Sequence, residues 1–109
     1  MDISFDSEGI LTAAAEFQGL DDFGDPGFKA GLAALLATYD QHVDSEDSRQ
    51  RVYMRVLKVL GARLRVEQAK KRHPEIAAEQ ISQPMILTGL PRTGTSALFN
   101  LLSVDPASR

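Results

Sequence analysis

The sequence contains no cysteine. That excludes a disulfide framework, a thiolate metal site and a cysteine nucleophile, and it fits a reducing compartment. No apolar run approaches the ~20 residues needed to cross a bilayer. The opening Met1-Asp2-Ile3-Ser4-Phe5-Asp6 is acidic and lacks the basic start and apolar middle of a secretory signal. The expectation is a cytoplasmic protein with no membrane partner. There is no internal repeat and no low-complexity tract. The two histidines, His42 and His73, stand far apart and have no cysteine beside them, so no metal-ligand cluster is legible. Asp21, Asp22 and Asp25 lack the regular spacing of a calcium loop and read as turn formers.

What is present fits one small soluble domain or a piece of a larger one. The chain has 109 residues, 43% hydrophobic and 25% charged, with a net charge of −3. The net value hides an asymmetry. Residues 1–48 carry eleven acids against Lys29, a charge of −10, whereas residues 49–73 carry nine bases against Glu67, a charge of +8. The basic stretch has no interleaved aromatics and its bases ring the helix it would form. It reads as a solvated face near acidic neighbours, not as a nucleic-acid surface.

Apolar spacing predicts three helices in the first eighty residues. Ile10, Leu11, Ala14 and Phe17 recur at helical spacing over residues 7–17, and Gly19 suits the end. A turn-rich connection follows, and a second helix starts near Pro26 with Phe28, Leu32, Leu35, Leu36 and Tyr39 as its stripe. Phe23 and Phe28 read as anchors for the connection. The third helix is capped by Ser45 or Ser48. Its stripe is Tyr53, Val56, Leu57, Leu60 and Leu64, and Pro74 stops it near His73. A short helical turn is expected at residues 75–80.

Beyond this the pattern changes. Pro84-Met85-Ile86-Leu87-Thr88 is a continuous apolar run that suits a strand buried on both faces, as in a parallel sheet. Ala97, Leu98, Leu101 and Leu102 then restart helical spacing. The expected fold class is α/β, with an N-terminal helical region over residues 1–80 and the start of a nucleotide-binding α/β domain over residues 84–109. A lone strand leaves its backbone groups unpaired. The expectation is therefore that most of that domain lies beyond residue 109.

Between strand and helix lies Gly89-Leu90-Pro91-Arg92-Thr93-Gly94-Thr95-Ser96. Its glycine–four–glycine spacing is that of a Walker loop, whose amides cradle phosphate. On ordinary composition that spacing alone arises in roughly half of chains this long, and two hydroxyl residues directly after it cut this to about one in a hundred. The Walker lysine is missing: Thr95 stands in its place. The loop suits a phosphate but lacks the usual equipment for a magnesium-bound triphosphate. Its one cation, Arg92, can pair with phosphate or sulfonate oxygens.

From Pro84 to Ser96 the chain resembles the nucleotide-binding start of sulfotransferases that use 3′-phosphoadenosine 5′-phosphosulfate. It is closest to a bacterial-type branch with arginine in the loop. Leu20-Asp21-Asp22-Phe23-Gly24-Asp25 and His73-Pro74-Glu75-Ile76 are also similar to that branch. The resemblance implies a P-loop-like sulfotransferase fold and transfer of a sulfonate group to a hydroxyl or amine of a small-molecule acceptor, with no metal required. It implies that Arg92, Thr93, Gly94, Thr95, Ser96 and Ala97 hold the 5′-phosphosulfate end of the donor, with Arg92 acting in catalysis. Many members have tryptophan where Ala97 stands, so an aromatic contact is absent there. The family's 3′-phosphate site and base lie farther along, so the chain alone is expected to be inactive. Two other readings compete: a small-molecule kinase or NTPase with a divergent loop, and a non-enzymatic helical interaction module. The acceptor and the oligomeric state are not legible.

Overall fold

Asp6 starts the first helix by accepting a 2.6 Å hydrogen bond from the Gly9 N–H, which satisfies one of the free donors of a first turn. Helix α1 spans Ser7–Gln18. It ends at Gly19, whose left-handed conformation lets its own N–H reach the Glu16 carbonyl while the Leu20 N–H reaches Ala15. That closure satisfies carbonyls the last turn would otherwise leave open. Asp22 and Asp25 then accept bonds from the Gly24 and Gly27 amides and close two consecutive turns. Helix α2, Phe28–His42, begins two residues after Pro26.

Helix α3, Glu46–Arg72, is about 40 Å long. Ser45, not Ser48, is its cap, accepting from the Ser48 N–H at 3.2 Å. Glu46 and Asp47 occupy its first turn and Lys70, Lys71 and Arg72 its last, each sign matching the helix dipole. Pro74 follows the helix end at His73, and a single turn, α4, covers Glu75–Ala78. Helix α5 is Thr95–Leu102, and a short 3₁₀ turn covers Pro106–Ser108.

The computed structural model describes residues 3–108. The chain divides into two units, Met1–Ala78 and Glu79–Arg109. In the first, α1 lies against α3 and α2. Ile10, Leu11 and Ala14 from α1 bury with Leu32 and Leu36 from α2, Val56, Leu60 and Leu64 from α3, and Phe5 ahead of α1. Phe23 and Phe28 pack against this core with ring centroids 6.1 Å apart. Phe17, expected on the buried stripe of α1, is instead 78% exposed.

Two arginines expected to be solvated are bonded into this unit. Arg49 donates to the carbonyls of Ile3 and Val43 and to the Asp40 carboxylate, and lies 4.6 Å over the Phe5 ring. Arg63 donates to the carbonyls of Phe23 and Asp25 and lies over the Phe28 ring. Each guanidinium satisfies backbone acceptors that no helix pairs.

The second unit corrects the α/β expectation. The described residues contain helices and irregular segments but no strand, and residues 84–89 carry no regular secondary structure. Met85 and Ile86 are exposed rather than buried on two faces. The physical reason is pairing. An extended segment becomes a strand when a neighbour accepts and donates its ladder bonds, and among the described residues no second extended run does so. A short apolar run signals burial of some kind but not the partner that would make it a strand. The described chain is all-helical, without a strand–loop–helix unit. Among the described residues no helix is long and apolar enough to cross a membrane.

Candidate functional site

The segment before α5 folds back on itself. The Thr93 hydroxyl donates to the Leu90 carbonyl at 2.6 Å and closes residues 90–93 into a tight turn. Arg92 and Gly94 both take left-handed backbone conformations, with φ of 65° and 87°. Glycine adopts that region freely. For arginine it costs about 1–2 kcal/mol, a strain that marks the position as one held by its surroundings. Gly89 stands at a close approach: a Cβ there would lie 3.0 Å from the Thr93 hydroxyl oxygen and 3.0 Å from the Thr95 methyl, so those side chains would have to shift slightly to admit one.

The turn delivers the chain into α5 with Gly94 as the N-cap, which has no side chain to accept from the first turn. The first intrahelical bond runs from the Leu98 N–H to the Gly94 carbonyl at 3.1 Å. The amides of Thr95, Ser96 and Ala97 precede it and are the free donors of this helix start. Free first-turn donors and the aligned peptide dipoles together favour an anion at that end.

Arg92, Gly94, Thr95, Ser96 and Ala97 line one concavity of about 410 Å³. Arg92 is exposed, and no carboxylate pairs with it among the described residues. Five of the six residues expected to hold the donor are thus brought together. The sixth, Thr93, is not among the lining residues, and its hydroxyl is spent on the Leu90 carbonyl. Beside this concavity lies a second of about 300 Å³, lined by Leu87, Thr95, Ser96, Phe99 and Asn100. Phe99 and Asn100 were not singled out in the sequence. Their signal is helical spacing, since each stands four residues after Thr95 or Ser96 and so shares its face.

The chemistry of this set is donation without acceptance of charge: a guanidinium, two hydroxyls and a run of amides, with no carboxylate among the lining residues. It suits an oxyanion. The donors fit a phosphosulfate group in type, and Arg92 supplies the planar fork that pairs with two oxygens. Elsewhere, among the described residues no group of three His, Asp or Glu side chains is placed to hold a metal ion. His73 lies 3.1 Å from the Glu75 carboxylate at the exposed end of α3. No family model, curated protein or solved structure matches the chain.

Proposed function

We propose that the turn at residues 89–94 and the first turn of α5 hold the phosphosulfate end of 3′-phosphoadenosine 5′-phosphosulfate, in a cytoplasmic sulfotransferase that acts on a hydroxyl or amine of a small molecule. The observation that carries this reading is the gathering of Arg92, Gly94, Thr95, Ser96 and Ala97 around one concavity at a helix start that no side chain caps. The reading rests on the turn and the helix and needs no sheet within this chain.

The donor, when bound, supplies a sulfonate group carried on a phosphate leaving group. Arg92 binds and orients the anionic end through paired N–H bonds. The hydroxyls of Thr95 and Ser96 and the amides of the first turn add donors from one direction. Donors fixed in this way stabilise negative charge as it develops on oxygen, and removing one from a preorganised site costs about 3–4 kcal/mol in the barrier. Thr95 stands where a triphosphate-binding loop places lysine, so the set favours a phosphosulfate over magnesium-bound ATP.

Isothermal titration of the chain with 3′-phosphoadenosine 5′-phosphosulfate, and separately with ATP plus magnesium, tests the reading. The phosphosulfate is expected to bind more tightly, and Arg92→Ala to weaken it by roughly 10- to 100-fold, the value of a charged hydrogen-bonding contact. Tighter binding of ATP, or unchanged affinity in Arg92→Ala, would overturn it.

A further inference from the structure

The exposed face of α3 carries charge that the fold does not use. Arg49, Arg51, Lys70 and Lys71 pair with Asp40, Asp47, Glu67 and Asp22, and Arg63 is spent on backbone carbonyls. Arg55 and Lys58, one turn apart, have no carboxylate partner among the described residues. With Arg51 and Arg65 they surround a concavity of about 580 Å³ between α1 and α3. Phe17, Met54 and Leu57 supply its apolar part. Phe17 and Met54 are 78% and 54% exposed, so two large apolar side chains stand in water inside a ring of four cations. No carboxylate lines the concavity.

We propose that this surface docks an acidic amphipathic helix of a partner protein, its apolar face on Phe17 and Met54 and its carboxylates toward Arg51, Arg55, Lys58 and Arg65. Charge complementarity sets the sign of the partner, since Arg55, Lys58 and Arg65 converge with no carboxylate paired to them among the described residues, Arg51 alone being held by Asp47. Length sets its form. Arg51 and Arg65 are separated by fourteen residues of one helix, about 21 Å, which a partner helix of about four turns matches. Shape favours a helix, whose side chains can enter a concavity of about 580 Å³, over the flat face of a bilayer. Phe17 is the single aromatic in the lining, too few for the stacking platform of single-stranded nucleic acid.

Fluorescence anisotropy with the 109-residue chain tests this directly. The probe is a labelled synthetic helix of about four turns with leucine on one face and glutamate on the other. Saturable binding that weakens as salt rises is expected. The double variant Arg55→Glu, Lys58→Glu should lower affinity at least about tenfold, and Phe17→Ser should lower it independently through the apolar contact. All three positions are exposed, so circular dichroism should show unchanged helix content. Four outcomes would each overturn the proposal: affinity unchanged in the double variant, affinity unchanged in Phe17→Ser, equal binding of the same peptide with lysine in place of glutamate, or tighter binding to an oligonucleotide or to phosphatidylserine vesicles.

Discussion

Arg49 joins three segments at one guanidinium: the stretch before α1 through the Ile3 carbonyl, and the end of α2 through Asp40 and the Val43 carbonyl, all from the first turns of α3. Arg63 does the same for the connection between α1 and α2. A third anchor is ionic. Asp22 pairs with Lys71, and that hydrogen bond, then the one from the Gly24 N–H, holds the Asp22 carboxyl below the ordinary aspartate range. The same bond raises Lys71 above the ordinary lysine range. A depressed carboxyl binds fewer protons folded than unfolded. Its stabilisation is therefore present above about pH 4, the unfolded value, and fades as pH falls through the lower folded value. For Lys71 the stabilisation is present below about pH 10 and is lost as pH rises through its raised folded value. Both groups are solvent-exposed and the effect is small. Urea unfolding across the acid limb should show a shallower loss of stability in Asp22→Asn than in the parent chain. Identical slopes below about pH 4 would count against the pair.

Among the elements, α3 organises the first unit. Its buried side chains, Val56, Leu60 and Leu64, complete a core that has nine members among the described residues, a small number on which each member counts heavily. Leu64 is 1% exposed, and Leu64→Ala should cost about 2–5 kcal/mol. Against the 5–15 kcal/mol typical of a whole domain, that should show as a marked drop in the urea midpoint. A midpoint unchanged from the parent would mean that α3 is not packed as described. Much of this element was legible in the sequence. Period 3.6 marked the stripe, acids and bases marked the two ends, and Pro74 marked the stop. The α1 end at Gly19 was legible for the same local reasons. What could not be read depends on contacts distant in sequence. Phe17 has the spacing of a core residue yet faces water. Arg49 and Arg63 look like surface charge until the carbonyls they reach are in place. Residues 84–88 look like a strand because apolar runs record burial preference, whereas a strand exists only with a partner. The segment at residues 89–96 is legible as a phosphate-binding element from its glycines and hydroxyls. The division of labour within it, with Thr93 closing the turn and Thr95 and Ser96 facing the concavity, needed coordinates.

At the scale of the molecule, charge and donor groups are distributed unevenly between the two units. The helical unit carries an uncovered cationic surface on α3, suited to an acidic helix. The unit over Glu79–Arg109 carries a donor-lined concavity suited to a small oxyanion. These are separate claims with separate tests, and failure of peptide docking leaves the donor site untouched. The proposed donor site depends on Arg92 and the start of α5 gripping the phosphosulfate group. The most direct measurement is an amide chemical-shift titration of the ¹⁵N-labelled chain with 3′-phosphoadenosine 5′-phosphosulfate. Saturable shifts are expected, largest at residues 92–97 and lost in Arg92→Ala. Shifts that leave residues 92–97 unmoved while the donor binds elsewhere, or that persist in Arg92→Ala, would contradict it.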